Sequence, residues 1–371
     1  MTQKAIITKD METQYKPLEN MHETENLKKR PSVTILLPAY NEATIISRSL
    51  TILCDHMSAH NEKYDWDILI VNDGSKDNTG KLADELAQTL PNISVYHNKV
   101  NMNLGGALRN GFKQAKGEYI VVLDIDLSFG PNNVEKLMDA AIDQNADIVI
   151  ASPYMKGGKT TAIPFHRLLL SKVLNKFMRW TSGIDVHSFT GMARAYKKEF
   201  LDTLNLKTNT YSINPEILQK ASILEGRIVE VPSNLDWTFQ NEYGTNRTSS
   251  IKIFKGILNG LMSSFIFRPY GFFMMVGLLL LVLSLYMIAW IFYHVYMIYP
   301  EIQVSGEFFD DMFSEAVAAV YNKRPHAFLI GGLTLVAAIQ FLGLGFISLQ
   351  KKRYFDELFH LNSAILKATK G

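Results

Sequence analysis

Asp124 and Asp126 stand one residue apart at the end of an apolar run, Tyr119-Ile120-Val121-Val122-Leu123. Two carboxylates at that spacing make a hard-oxygen site suited to a divalent cation that carries phosphates. Two other apolar runs end in the same style. Val33-Thr34-Ile35-Leu36-Leu37 leads into Pro38-Ala39-Tyr40-Asn41-Glu42, and Asp67-Ile68-Leu69-Ile70-Val71 leads into Asn72-Asp73-Gly74-Ser75. One such run could be a strand that merely closes in an Asp-rich turn. Three of them demand an arrangement that brings their ends together.

Runs with so few polar positions suit strands covered on both faces. Between them lie helical stripes: Ile45, Ile46, Leu50, Leu53, Cys54 and Met57, then Leu82, Leu86 and Leu90. Ile93 to His97 reads as a short strand, Leu104 to Ala115 as a helix, and Asp147 to Ala151 as a further strand. Pro131 opens a helix from a favoured first position. This alternation predicts an α/β fold with a mostly parallel sheet, flanking helices and right-handed crossovers. Ligands bind such sheets outside the carboxyl ends of the strands, so Glu42, Asp73, Asp124 and Asp126 should share one cleft. Like charges gathered there are costly unless a cation or a donor-rich ligand offsets them. A nucleoside diphosphate with a divalent metal supplies both, the metal neutralising the diphosphate as it leaves. Asn103-Leu104-Gly105-Gly106 lies too far along for a phosphate turn and reads as close helix–sheet packing.

The next stretch is less regular. Pro164 to Trp180 should be an amphipathic helix after the loop Lys156-Gly157-Gly158-Lys159. Ser188 to Ala195 and Arg227 to Val231 should be extended, with Pro215 to Glu225 helical between them. His166 and His187 lack partners at metal spacing, and Asp185, Glu216 and Asp236 show no clear base motif.

Over 371 residues the formal net charge is only +2, which argues against nucleic acid bound by bulk electrostatics. The single cysteine, Cys54, excludes an intrachain disulfide and a thiolate metal cluster. Residues 1–30 read as a flexible leader and residues 31–250 as the α/β domain. No acidic, lysine or arginine side chain occurs between Arg268 and Glu301 or between Arg324 and Lys351. Each gap exceeds the roughly 20 residues that span a bilayer core. Region 269–350 should therefore hold two transmembrane helices, about 270–298 and 327–349, joined by a non-cytoplasmic loop. Lys252, Lys255 and Arg268 before the spans and Lys351-Lys352-Arg353 after them place the catalytic part and both termini in the cytoplasm, whereas Glu301, Glu307, Asp310, Asp311 and Glu315 fill the loop. Residues 251–268 should lie along the membrane surface. In the tail, 351–371, Tyr354 to Lys367 reads as a short amphipathic helix, either interfacial or a contact in a homo-oligomer.

Taken together, Pro38-Ala39-Tyr40-Asn41-Glu42, Val71-Asn72-Asp73-Gly74-Ser75 and Asp124-Ile125-Asp126 resemble family 2 glycosyltransferases, which have the GT-A nucleotide-sugar fold. With membrane helices following that domain, the order looks most like the polyprenyl-phosphate glycosyltransferases, the dolichol-phosphate mannose synthase group among them. The resemblance implies that Pro38, Ala39, Tyr40, Glu42 and Val71 line the nucleotide pocket and that Asp73 accepts from the base. It implies Asp124 and Ile125 beside the ribose and diphosphate, and Mg²⁺ or Mn²⁺ on Asp124, Asp126 and Ser128, the last standing where the family often has Gln. Ser152-Pro153-Tyr154 replaces the common Ser-Arg-Tyr, so Lys156 or Lys159 would supply the missing cation. Arg167 and Ser171 match the acceptor-phosphate position, and Arg247 with Lys252 matches the loop that closes on the diphosphate. The alternative for Arg167 is an interfacial charge near lipid headgroups, and for Arg247 a topology signal alone.

The implied activity is inverting transfer of one sugar from a UDP- or GDP-hexose to a polyprenyl phosphate at the cytoplasmic leaflet, with a role in cell-envelope or protein glycosylation. The missing base motif agrees, because a phosphate acceptor is already anionic near neutral pH. Two alternatives remain at this stage. A processive polysaccharide synthase would carry Gln-x-x-Arg-Trp, of which Lys176-Phe177-Met178-Arg179-Trp180 keeps only the end. A membrane-anchored nucleotide-sugar-binding or scaffold protein without turnover is the other.

Overall fold

A computed structural model describes residues 30–90, 92–238, 269–302 and 311–370. The expected leader, the interfacial segment 251–268, Arg247, Lys252, Glu307 and Asp310 lie outside the described residues. The first apolar runs form β1 (Ser32–Ala39), β2 (Asp65–Asn72), β3 (Ile93–His97), β4 (Tyr119–Val122) and β5 (Ile148–Ser152). Between them run α1 (Ile46–Ser58), α2 (Thr79–Thr89), α3 (Asn103–Gln114) and α4 (Asn133–Asp143). Then come β6 (Lys159–Thr161), α5 (Phe165–Ser182), β7 (Arg194–Lys197), α6 (Lys198–Leu201), α7 (Ile213–Ile223), β8 (Ile228–Pro232) and β9 (Asn234–Asp236).

Seven strands make one sheet in the order β3-β2-β1-β4-β7-β5-β8. All neighbours pair in parallel except β7, which runs antiparallel to β4 and β5. The extended reading of Ser188 to Ala195 is thereby shifted: the strand begins at Arg194, and the preceding segment is irregular. Strand alternation splits the core into two halves. Ile35 and Leu37 pack with Ile46, Leu50, Leu53, Ala83 and Leu137 from α1, α2 and α4. Leu36 packs with Ala107, Leu108, Met178 and Ile217 from α3, α5 and α7. Each buried aliphatic contributes about 1.5–3 kcal/mol, so the three-layer sandwich follows from the apolar runs themselves. The order in which strands are added reverses at β1 and β4, which run parallel, and that switch opens a crevice at their carboxyl ends.

Beyond the sheet, α8 (Pro269–Ile298), α9 (Met312–Lys323) and α10 (Pro325–Lys370) follow. Helices α8 and α10 are long and apolar enough to cross a membrane. They pack through small residues: a Cβ on Gly277 would meet Leu342 at 2.8 Å, and one on Gly345 would meet Met274 at 2.9 Å. Ser284, fully buried, donates to the Gly331 carbonyl at 3.0 Å. The tail does not form a separate short helix. From Phe346 to Lys370 the chain holds no Gly or Pro, so α10 runs unbroken over 46 residues.

Candidate active site

Register places the acid-bearing turns on one edge. Ala39 pairs with Asn72 and Leu36 with Val122. The Asp73 amide donates to the Ala39 carbonyl at 2.9 Å, and the Leu123 amide to the Leu36 carbonyl at 3.2 Å. Both turns are thus fastened to β1. The turn after β1 is laced to its neighbour as well: Asn41, at φ 57°, receives the Lys76 amide on its side-chain oxygen at 2.8 Å and donates its own amide to Ser75 at 3.0 Å. Asn tolerates that left-handed backbone better than most residues. Glu42 is buried, with its amide on the Thr79 hydroxyl at 2.7 Å and its carbonyl starting α1.

Asp73 is 3% exposed, and its Oδ1 accepts from the Asn98 side chain at 2.7 Å and the Met102 amide at 2.9 Å. An incoming base donor would therefore meet Oδ2. Asp126 is also buried and accepts from the Ser128 amide at 3.0 Å. Burial, and then the Asp126 charge, push the half-buried Asp124 carboxyl up to about 8. A pair in which one acid resists ionisation is a donor set that a divalent cation fits, because the cation supplies the missing charge. Leu127, at φ 52°, turns the chain directly after them, and β9 crosses beside this loop with the Asp236 amide on the Ser128 carbonyl at 2.8 Å.

Not every expected pocket residue presents a side chain. Val71 and Ile125 are buried in the two halves of the core, and so is Ala39, so their contact with a ligand would run through the main chain. Pro38 is half-buried, and Tyr40 is 39% exposed with its ring free to stack. Lys156 sits exposed in the turn where Gly157 takes φ 89°, and Lys159 lies exposed on β6.

Arg167 occupies the first turn of α5, its guanidinium over the Trp237 ring at 5.4 Å. Ser171, one turn on, accepts from the Tyr154 hydroxyl at 2.7 Å and from Asn175 at 3.3 Å. Asn175 in turn receives the Phe189 amide at 2.7 Å, tying α5 to the irregular segment before β7. Glu230 holds the other side of that segment through the His187 and Ser188 amides and His187 Nδ1 at 2.8 Å. Fully buried Arg194 closes it by donating to the Ser188, Phe189, Gly191 and Asn214 carbonyls. Tyr154 keeps the last place of the Ser-Arg-Tyr pattern, whereas Asn175, Trp237 and Glu230 carry no motif, and only the fold reveals their positions. Glu216, read without a base role, accepts from Lys207, Thr208 and Lys220 and holds a loop.

A family profile described as glycosyl transferase family 2 matches residues 34–204. A polyprenol monophosphomannose synthase from Mycolicibacterium smegmatis is 32% identical over 226 residues, 59% of this chain and 82% of the relative. An undecaprenyl-phosphate mannosyltransferase from Micrococcus luteus is 28% identical and covered to 91%, with 61% of this chain in the match. For a dolichol-phosphate mannosyltransferase from Pyrococcus furiosus, 31% identical, the match takes 54% of this chain and about half of the relative, 55%. Among solved structures, a glucosyl-3-phosphoglycerate synthase from Mycobacterium tuberculosis bound to UDP has 19% identity and a TM-score of 0.48, over 68% of this chain and 86% of that one. The chain belongs to glycosyl transferase family 2.

Proposed function

We propose that the protein transfers one sugar from a nucleotide sugar to a polyprenyl phosphate at a membrane surface. The observation that carries this reading is the carboxylate rim of Asp73, Asp124 and Asp126 on the same chain as two bilayer-length apolar helices. The relatives' names add the acceptor class, and mannose is the first sugar to test as donor. Domain limits at 31–250 and 269–350, both termini in the cytoplasm, and a multi-pass membrane location belong to the same proposal.

Asp73 receives a donor of the base, and the Tyr40 ring covers one of its faces. Asp124, Asp126 and Ser128 would hold Mg²⁺ or Mn²⁺, whose charge offsets the diphosphate as it leaves. Arg167 and Ser171 receive the acceptor phosphate, with Lys156 or Lys159 and Arg247 as further cations around the two anions. The acceptor oxygen, already an anion, attacks the anomeric carbon from the face opposite the diphosphate. The new carbon–oxygen bond forms as the bond to the nucleoside diphosphate breaks, with inversion and no proton to remove. Catalysis then reduces to positioning and charge stabilisation, which suits a rim without a dedicated base.

The test supplies purified full-length protein with Mn²⁺, labelled UDP- and GDP-hexoses and polyprenyl phosphate. Label should enter the organic phase only when the lipid is present, and Asp126→Ala should lower the rate by about 100-fold or more. Transfer onto a growing polysaccharide without the lipid would refute the acceptor.

A further inference from the structure

A second set of ligating side chains lies away from the carboxylate rim, between the end of α1 and the first turn of α4. His56 and His60 are four residues apart on one face, with ring centroids 5.0 Å apart. Both Nε2 atoms reach the same oxygen, Glu135 Oε1, each at 2.7 Å. Glu135 Oε2 is buried with no hydrogen-bond partner among the described residues. The neighbouring pair on the same two segments is arranged differently: Asp139 receives proper donors, Lys63 at 2.6 Å and the Tyr64 hydroxyl at 2.8 Å.

His60 Nδ1 lies 2.9 Å from the His56 carbonyl. A carbonyl only accepts, so Nδ1 carries the proton and the neutral ring presents a bare lone pair at Nε2. That lone pair faces a carboxylate oxygen that also only accepts. Either a second proton on the ring or a cation drawn in between the two groups satisfies that contact. A backbone carbonyl on Nδ1 is also the usual partner that orients a metal-bound imidazole. The three donor atoms lie within 4.8 Å of one another. Around zinc, at about 2.0 Å per bond, tetrahedral donors stand about 3.3 Å apart, so a small opening of these part-exposed side chains admits the ion.

We propose that His56, His60 and Glu135 form a site for a divalent transition metal of the zinc class, which clamps α1 to the start of α4. Two imidazoles and one carboxylate suit a borderline ion rather than Mg²⁺, and the fourth position is left to water. The clamp is separate in ligand chemistry from the all-oxygen set at Asp124 and Asp126. It secures the turn of α4 that follows the Asp126 loop, where the Asn133 side chain already holds the Phe129 carbonyl.

Cobalt(II) is the probe, added to chelator-stripped full-length protein in detergent. Wild type should show the intense visible absorption of tetrahedral cobalt, saturating at one ion per chain and bleached by Zn²⁺. Asp126→Ala should keep that absorption; His60→Asn and Glu135→Gln should lose it. Zn²⁺ should raise the wild-type Tm by about 5 °C or more and leave His60→Asn unmoved. Far-UV circular dichroism and retained sugar transfer verify that His60→Asn is folded. A weak octahedral spectrum, absorption that survives in both variants, or a Tm that responds to acidification but not to Zn²⁺ would overturn the site in favour of a plain histidine–carboxylate ion pair.

Discussion

At the residue scale, the uneven acid pair would couple the proposed metal binding to pH. Without a cation, burial and Asp126 hold the Asp124 carboxyl near 8, well above its unfolded value. Between the unfolded value and 8 the native state binds a proton that the unfolded chain has lost, so this group's contribution to stability falls as pH rises. A cation at the pair displaces that proton. Mn²⁺ should therefore raise Tm more at pH 8 than at pH 6, and Asp124→Asn should flatten the difference in differential scanning fluorimetry. At the proposed acceptor side, the Arg167 guanidinium stacks over the Trp237 ring. Arg167→Ala should raise the KM for the lipid phosphate by about 10- to 100-fold, the worth of a charge-assisted hydrogen bond, with far less effect on the nucleotide sugar. Trp237→Leu should shift the same constant in the same direction by a smaller factor, measured with the donor saturating.

At the element scale, close approach decides more than propensity. The start of α3 is pressed against the 208–210 loop rather than the sheet: the Gly105 amide donates to the Asn209 carbonyl at 2.9 Å, and a Cβ there would fall 2.4 Å from the Thr208 carbonyl oxygen. It is Gly111 that meets the sheet, where a Cβ would fall 2.5 Å from Leu36 Cδ1. Gly105→Ala should cost about 1–3 kcal/mol in urea unfolding, by overpacking against backbone that cannot swing away. The packing role of this glycine pair was legible in the sequence; its partner was not, because the loop lies about a hundred residues on. The same division runs through the site. Asp73, Asp124 and Asp126 are readable because each ends an apolar run, and a parallel sheet turns strand ends into one rim. Trp237, Asn175 and Glu230 are not, because the crossing of β9 and the irregular segment before β7 bring them in without any local period. Antiparallel β7 escaped for a related reason: a strand buried in mid-sheet looks the same in either direction. The continuous α10 escaped because Lys351-Lys352-Arg353 changes the solvent a helix sees without breaking the helix.

At the scale of the whole molecule, the lone thiol makes topology measurable. Cys54 is 5% exposed, and burial pushes its thiol up, so it reacts slowly. A cysteine introduced at exposed Arg353 and another at exposed Lys323 should label from opposite sides of sealed vesicles with an impermeant maleimide, the Arg353→Cys side being the one that carries the carboxylate rim. Labelling of both from one side would refute the two-span arrangement.

The 46 residues of α10 make a rod of about 69 Å, against a bilayer core of about 30 Å. The 20 residues from Lys351 to Lys370 alone extend about 30 Å beyond the last uncharged turn. Along that projection the Phe359 ring meets Lys220 of α7, with Nζ 5.7 Å from its centroid. The rod is thus a gauge post as well as an anchor. In the proposed membrane arrangement it would set how high the carboxylate rim rides over the lipid, and inserting seven residues, two helical turns, before Phe359 would lift that meeting point by about 10 Å while keeping the same face turned to α7.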